Sequence, residues 1–335
     1  MIRQRIFTAS VTVGAVVSLV MGSLVGGSAF AAQTALVGGN ALKVSPVRQD
    51  LTMNPGTSTT VPVFIQNVTS VPATLHMAIN DFIAGDENGT PAVILDEHKY
   101  APTHSFKRFA ETVPDFTLGG GQIKEIDVLV TVPKSATGGG YYGAIRFEPA
   151  TASNDKTLNL SASVGSLVLL KVNGDIKEQM HISSFDVRSK KGADKPNTFF
   201  NSGKNLQAVV RFDNTGNIQL QPFGKMVLKR FGKQVATFEV NDEQPRGNSL
   251  PGGIRRFNTS LGNLSSFGKY TLQGNFGYGS TGQLLTASAT FYVVPVVLII
   301  AGVVLIVAVL LGIFLVPRMM RAYNRRVVKR ADRRR

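Results

Sequence analysis

The feature that most constrains the fold of this chain is a run of 24 residues, 293–316, that contains no charged side chain. As an α-helix this run would be about 36 Å long, which is enough to cross the hydrocarbon core of a bilayer. The segment that follows, 317–335, is strongly basic, and Asp332 is its one acidic residue. Because basic segments stay on the cytoplasmic side, the pattern predicts a transmembrane helix over 291–316, a cytoplasmic tail over 317–335 and an ectodomain outside the cell.

Both flanks of the predicted helix carry residues that favour the membrane interface. Phe291 and Tyr292 precede it, and aromatic rings are enriched at the headgroup level. Basic residues follow it directly: Arg318, Arg321, Arg325, Arg326, Lys329 and Arg330. Such residues gain about 1 kcal/mol each near anionic lipid. The tail therefore either contacts anionic lipid or serves only to fix the orientation of the helix.

The N-terminus predicts the same topology independently. Arg3 and Arg5 precede an apolar stretch over 6–25, and Ala29 and Ala31 supply the small residues that signal peptidase requires. We therefore expect a signal peptide over 1–31 that is cleaved after Ala31, with an uncleaved first transmembrane helix as the alternative. The mature chain would be a single-pass protein of the cell membrane.

Composition excludes several classes of function. The net charge of +15 lies mostly at the two ends, where topology accounts for it, so a nucleic-acid partner is not indicated. The modest excess that remains fits an acidic partner, such as a wall polymer, or an ordinary soluble surface. There is no cysteine, so disulfides, thiol nucleophiles and thiolate metal sites are excluded. An ectodomain of about 260 residues is long enough for two hydrophobic cores.

The ectodomain alternates apolar and polar residues with the period of β-strands. Val61, Val63 and Ile65 share one face of a predicted strand. A second strand is predicted over 125–132 with the same alternation. No amphipathic helix of useful length precedes the membrane segment. The fold class is therefore predicted to be all-β up to residue 290.

A second group of strands begins after the turn at 172–175. Leu206 to Phe212 alternate in the same way, and Gly232-Lys233 is predicted to close a hairpin between 226–231 and 234–240. The pattern predicts two tandem Ig-like antiparallel β-sandwiches, over 32–174 and 175–290, with one C-terminal transmembrane helix. Asn67 and Asn214 each end an early strand of their group, as a weak internal repeat would, and their left-handed tolerance suits the turns that follow.

The long segments 81–115 and 188–205 are predicted to be loops, which is where β-sandwiches usually carry binding function. The glycine-rich run 138–143 matches a dinucleotide-binding pattern by letter, but a strand-like segment follows it instead of a helix. It is interpreted as a flexible hairpin turn.

No catalytic or metal-binding constellation is predicted. The four histidines, His76, His98, His104 and His181, lack metal-ligand spacing and are interpreted as surface residues. The stretch 86–89 could offer oxygens to calcium but lacks the remaining ligands of a calcium loop, so it is interpreted as a turn. We therefore expect no enzyme activity, no metal and no cofactor.

Tyr142 is the predicted binding residue. Neighbours on a strand point to opposite sides, so alternation with Ile145 and Phe147 assigns Tyr141 to the core and Tyr142 to the surface. An exposed tyrosine ring beside a glycine-rich turn is suited to stacking on a sugar or on a partner side chain.

Several motifs resemble the WxL-interacting protein family. The first-domain motifs are Leu42-Lys-Val-Ser-Pro46, Val61-Pro-Val-Phe-Ile-Gln-Asn67 and Gly140-Tyr-Tyr-Gly-Ala-Ile-Arg-Phe147, and the second-domain motifs include Val210-Arg-Phe-Asp-Asn-Thr-Gly-Asn217 and Leu250-Pro-Gly252. The resemblance implies a peptidoglycan-binding first domain, a second Ig-like domain and a membrane anchor. The chain has no tryptophan, so it cannot itself carry the WxL motif.

The sequence thus predicts a membrane-anchored bacterial surface adaptor, or adhesion protein, that binds a cell-wall polymer or other surface proteins. The alternative is a membrane-tethered chaperone or assembly factor for surface fibres, since the first-domain pattern also resembles pilus chaperones. An exported hydrolase is the least supported class, because no residue constellation favours it.

Overall fold

The computed structural model describes residues 41–150, 163–190, 195–265 and 267–332, so the predicted signal peptide over 1–31 lies outside the described residues. The described part consists of seventeen β-strands followed by one C-terminal α-helix. The strands form two tandem Ig-like β-sandwiches, as the alternation predicts.

The first sandwich packs a three-stranded sheet, in the order β1-β3-β7, on a sheet in the order β2-β9-β8-β4-β5. Strand β6 also pairs with β4, and β2 runs parallel to β9. The strands are β1 Leu42–Ser45, β2 Arg48–Met53, β3 Ser58–Asn67, β4 Ala73–Ala84, β5 Pro91–Val93, β6 Phe116–Leu118, β7 Ile123–Thr131, β8 Gly139–Pro149 and β9 Val164–Val172.

The second sandwich packs the sheet β10-β12-β15 on the sheet β11-β17-β16-β13-β14. All its pairings are antiparallel except that of β11 with β17. Its strands are β10 Met180–Ser189, β11 Phe199–Phe200, β12 Leu206–Asn214, β13 Phe223–Arg230, β14 Lys233–Val240, β15 Ile254–Ser260, β16 Gly268–Tyr278 and β17 Gln283–Val293.

Each sandwich has its own hydrophobic core. Val61, Val63 and Ile65 of β3 are fully buried in the first core, which confirms the predicted alternation. In the second core, Phe212 of β12 packs edge-on against Phe276 of β16, with ring centroids 5.1 Å apart. Burial of this apolar area stabilises each unit by about 25 cal/mol per Å², which a chain without cysteine requires.

Asn67 and Asn214 occupy the same place in the two sandwiches. Both are fully buried at the end of a strand, and each side-chain amide donates to two backbone carbonyls. Each side-chain oxygen accepts the backbone N–H two residues later, from Thr69 and Gly216. The internal repeat is therefore real in structure, but neither Asn has positive φ. These residues cap their turns through side-chain bonds.

The predicted loop over 81–115 is more ordered than expected. Strand β4 continues into the predicted loop 81–115, where the buried carboxylate of Asp81 accepts the backbone N–H groups of Ala101 and Lys107 at 2.8 Å. Phe106, from the same segment, is fully buried in the first core. The segment is thus packed on the sandwich by a buried carboxylate and an aromatic anchor.

The C-terminal helix α1 is Val296–Asp332, with Pro317 inside it, and Ile299–Arg321 is long and apolar enough to cross a membrane. It begins later than predicted. Phe291 belongs to β17 and is buried in the second core, where it stacks on Tyr270, and Tyr292 also belongs to β17. The apolar pattern of the last strand runs directly into that of the helix, so composition alone could not separate the two.

Candidate functional site

The two sandwiches meet through a small apolar cluster on the outer face of the β8 sheet. Phe82, Tyr142, Ala144 and Leu169 are its buried members, and Leu250 of the second sandwich packs against them. Tyr142 is 7% exposed, its ring lies 5.7 Å from that of Phe82, and its hydroxyl donates to Gln219 Oε1 at 3.0 Å. Burial raises the pKa of the Tyr142 hydroxyl, which keeps it a neutral donor.

The predicted exposure of Tyr142 is therefore wrong, whereas Tyr141 lies in the first core as predicted. The alternation along β8 is correct, since the two rings point to opposite faces. The error came from treating the outer face as solvent-exposed, when the second sandwich covers it.

The glycine-rich run is also different from the predicted hairpin turn, because it forms the start of β8. A Cβ at Gly143 would overlap the ring of Phe106, and a Cβ at Gly140 would overlap the hydroxyl of Tyr142. The Gly140 N–H donates to the Asn217 carbonyl of the second sandwich at 2.8 Å. Because these glycines have no side chain, they leave room for the ring of Phe106 on one face of the strand and for the Tyr142 hydroxyl on the other.

The turn at residues 86–89 reaches the second sandwich from a different side. Asp86 Oδ1 accepts the N–H groups of Asn88 and Thr90, both at 2.9 Å, which folds the turn on itself. Arg211 Nε donates to Glu87 Oε2 at 2.8 Å, and the Arg256 N–H donates to the Glu87 carbonyl at 2.7 Å. The sandwiches are therefore joined at several points, and their relative orientation is fixed.

A cleft of about 210 Å³ lies between these contacts, and we call it the inter-sandwich cleft. Its apolar walls come from Phe82, Leu167 and Leu169 of the first sandwich, and from Leu250 and Ile254 of the second. Walls of this kind favour an apolar side chain, because burying it releases water from both surfaces.

Three arginines give the inter-sandwich cleft its charge: Arg48 at the start of β2, Arg246 in the 241–253 loop and Arg255 in β15. Within the described part of the chain, the Nε atoms of all three are buried and have no hydrogen-bond acceptor. Arg48 Nη2 contacts Asp50 at 2.9 Å, and Arg246 lies 4.0 Å above the ring of Phe223. These contacts position the guanidinium groups of Arg48 and Arg246, and each guanidinium has five N–H donors, more than these contacts use.

Burial and hydrogen bonding shift the pKa values of two charged groups in the cleft. Burial lowers the pKa of Arg255 below its usual range, although the nearby Asp86 carboxylate acts in the opposite direction. The backbone N–H of Thr90 is the main cause of a lowered pKa at Asp86, so this carboxyl stays ionised. Asp86 and Asp50, the partner of Arg48, offset two of the three guanidinium charges, which leaves a net positive site.

This arrangement is suited to binding an acidic group beside an apolar one. Guanidinium forks pair with carboxylates in a charge-assisted, often bidentate geometry, and the apolar walls accept a neighbouring aliphatic group. Among the described residues, no group of His, Asp and Glu is placed to hold a metal ion.

The other predicted residues lie away from the inter-sandwich cleft. His181 is exposed and pairs with Asp213, and His76 is partly exposed and pairs with Asp115. His104 is half-buried against Tyr141 instead of on the surface. Arg318 and Arg321 are exposed on α1, and the side chains of the basic residues from 325 onward lie outside the described residues.

Sequence reasoning missed the three arginines of the cleft. They come from segments almost 200 residues apart, and none belongs to a motif. The one available signal was the run 245–255, in which two arginines flank a turn rich in Gly, Pro and Asn. Such a turn predicts a surface loop but not what it faces.

No protein-family model matches the chain, and a search of curated proteins finds no match. Among solved structures, the chain is similar to one from the chaperone–tip adhesin complex of CFA/I fimbriae, at 11% identity and a TM-score of 0.38, over 75% of this chain and 98% of that one. The class 5 fimbriae chaperone CfaA gives 13% identity and the same coverage and TM-score. The E. coli chaperone DraB gives 14% identity and a TM-score of 0.32 over 75% of this chain and 96% of DraB. At such values the similarity concerns the fold alone.

Proposed function

We propose that this chain is a membrane-anchored cell-surface adaptor that binds a partner surface protein in the inter-sandwich cleft. The observation that carries the proposal is that three arginines, Arg48, Arg246 and Arg255, line a cleft whose other walls are apolar. Guanidinium groups that line a cleft can pair with the carboxylate oxygens of a ligand in a charge-assisted geometry.

A protein segment fits this chemistry better than a wall polymer does. The cleft offers guanidinium groups beside Phe82, Leu169 and Ile254, so it suits a carboxylate next to an aliphatic side chain. A sugar polymer supplies carboxylates but few apolar groups of that size. The cell-wall polymer therefore remains an outcome of the test below.

The proposed location rests on α1, with the ectodomain outside the cell and the basic tail in the cytoplasm. Protease added to intact, wall-stripped cells should digest the ectodomain and spare a tag placed after Arg335. Protection of the ectodomain would contradict the topology.

Binding can be tested on the full chain reconstituted in nanodiscs. The probes are labelled peptides that carry Asp or Glu beside Leu and Val, and matched peptides with Asn or Gln in place of the acids. We expect the acidic peptides to bind, and the double variant R246Q/R255Q to weaken that binding by at least about tenfold. Fluorescence anisotropy provides the measurement.

The matched control is K43Q/K134Q, which removes the same charge from exposed residues outside the inter-sandwich cleft. It should bind like the wild type. Equal binding of acidic and neutral peptides would overturn the proposal. Retention on purified cell wall that R246Q/R255Q abolishes would instead assign the cleft to a polymer.

A second candidate is an assembly factor for surface fibres. The observation that favours it is the position of β14, which pairs with β13 and has no strand on its other side among the described residues. A free edge of this kind can pair with a strand of a fibre subunit. An assembly factor releases its subunit as the fibre grows, so pulse-chase crosslinking should show a transient partner, whereas an adaptor keeps its partner.

A further inference from the structure

The end of the second sandwich nearest α1 carries a row of four aromatic side chains, three of which are exposed. The register aligns Phe199 of β11, Tyr292 of β17 and Lys269 of β16, and the N–H of Phe231 donates to the Lys269 carbonyl at 3.0 Å. Phe267 follows in the same place, because Gly268 is paired with Val293, the last residue of β17. We call Phe199, Phe231, Phe267 and Tyr292 the aromatic row.

The three phenylalanines of the aromatic row are exposed and Tyr292 is half-buried, although each ring is packed against another. Phe199, Phe231 and Phe267 are 62%, 59% and 58% exposed. Phe199 stacks on Tyr292 with ring centroids 5.1 Å apart, and Phe231 lies 6.3 Å from Phe267. Three large exposed rings at one end of one sheet form an apolar patch, which is a feature of interaction surfaces.

Phe231 is held in a backbone conformation that disfavours it. It has φ 48° and precedes Gly232, at φ 82°, in the two-residue turn between β13 and β14. Asn and Gly are the residues that suit such a turn, and a phenylalanine there is strained. A phenylalanine held at positive φ in an exposed turn is unfavourable, which indicates that its ring has a functional role.

The same end of the sandwich is basic. Arg230, Lys233 and Lys269 lie in the strand ends beside the aromatic row, and the segments 195–206, 227–238, 260–272 and 288–296 contain no acidic residue. Arg230 Nη2 donates to the Phe267 carbonyl at 2.7 Å and its guanidinium lies 5.5 Å from the Phe231 ring centroid. Aromatic and basic side chains together are typical of a surface that rests on lipid headgroups.

The chain itself brings this end to the membrane. Val293 ends β17 and Val296 begins α1, so the two residues between them span at most about 11 Å. The contacts with the first sandwich lie at the opposite end of the second, where Asp213 of β12 pairs with Ile254 of β15. The aromatic row is therefore the part of the ectodomain that α1 places nearest to the bilayer.

We infer that the aromatic row and its basic neighbours dock on the outer leaflet, with the rings of Phe231 and Phe267 at the headgroup level and the cations on anionic headgroups. This inference rests on the proposed membrane anchor. Docking gives the ectodomain a fixed orientation and directs the inter-sandwich cleft away from the membrane, toward partners.

The absence of tryptophan makes a direct test possible, because a single introduced tryptophan is the only one in the chain. The full chain is reconstituted in vesicles of phosphatidylcholine and phosphatidylglycerol whose acyl chains are brominated near the headgroup. We expect F231W and F267W to lose about half of their emission relative to unbrominated vesicles, since bromine quenches only at short range and interfacial rings lie near it.

Two control variants separate the possible outcomes. Leu284 is 79% exposed at the other end of β17, about 30 Å from Val293, so L284W should not be quenched. Leu305 lies within α1, so L305W should be quenched if the anchor spans the bilayer. Quenching of L305W without quenching of F231W overturns the docking inference alone, whereas loss of quenching at L305W overturns the anchor.

A further variant distinguishes docking from folding. Phe231→Asn suits the turn, so F231N/F267N should retain the unfolding temperature of the wild type. F199W should be quenched by brominated lipid in the otherwise wild-type chain and should lose this quenching in the F231N/F267N background, because the anchoring rings are gone. Undiminished quenching there would show that these two rings do not hold the sandwich on the membrane.

Discussion

The hydroxyl of Tyr142, on β8 of the first sandwich, donates a hydrogen bond to Gln219 Oε1 of the second at 3.0 Å. The bond lies at the edge of the apolar cluster that joins the two sandwiches, next to Gly140, whose N–H donates to the Asn217 carbonyl of the second sandwich. A rigid junction of this kind forms the inter-sandwich cleft before any ligand arrives, which reduces the entropy lost on binding.

Tyr142 is therefore predicted to stabilise the junction. Tyr142→Phe removes the hydroxyl and leaves Gln219 Oε1 without its donor, which should cost about 1–3 kcal/mol. Tyr142→Ala also removes a buried ring and should cost about 3–5 kcal/mol. Denaturant unfolding of the full chain in detergent, followed by circular dichroism, measures both. An exposed residue, Val235, provides the control, and V235A should change little. Equal stability of Y142A and the wild type would mean that the ring does not hold the sandwiches together.

Gly143 is predicted to be intolerant of any side chain. A Cβ at this position would overlap the buried ring of Phe106, so Gly143→Ala should destabilise the first sandwich by about 1–3 kcal/mol or more through overpacking. Gly277, in β16, is a matched control because a Cβ there meets Phe223 only at 3.5 Å, an ordinary contact distance. Thermal unfolding should separate the two variants, and a similar effect in both would contradict the role assigned to the Phe106 contact.

The sequence was sufficient to predict the sandwiches because one buried face and one exposed face impose a strict alternation on each strand. It was misleading at β8, where Tyr142 and Ala144 follow the outward pattern yet are buried by a second domain. Alternation reports which side of a strand a residue faces, but not whether another domain covers that side.

The candidate site could not be predicted for a related reason. Arg48, Arg246 and Arg255 meet only when two sandwiches pack at one orientation, and that orientation depends on contacts such as Arg211 with Glu87. Asn67 and Asn214 show the opposite case, since a local side-chain cap is visible in sequence as an Asn that ends a strand. Local chemistry can be inferred from sequence, whereas chemistry assembled across domains requires the fold.

His104 is predicted to make stability depend on pH. Burial lowers its pKa in the folded state below the ordinary value of 6.5, so the unfolded chain takes up the proton more readily. Stability contributed by neutral His104 is thus fully present above pH 6.5 and is lost as pH falls through the folded-state pKa. Urea midpoints of the wild type should fall from pH 7.5 to pH 5.5 by more than those of H104Q. An equal or smaller fall in the wild type would contradict the assignment.

Arg255 is predicted to strengthen ligand binding without raising the unfolding temperature. Its guanidinium is half-buried, its Nε has no acceptor in the described part of the chain, and Asp86 is already held by the N–H groups of Asn88 and Thr90. Replacing a poorly compensated charge by a hydrophobic residue of similar length is often neutral or stabilising, so Arg255→Met should leave the unfolding temperature unchanged or raise it. The same variant should weaken binding of acidic peptides by about tenfold, since one charge-assisted hydrogen bond contributes about 1.5–3 kcal/mol.

Arg108, which lies over the exposed ring of Tyr100, supplies the control, and R108M should alter neither quantity. A marked fall in the unfolding temperature of R255M with peptide binding intact would make Arg255 a structural residue and remove it from the proposed site.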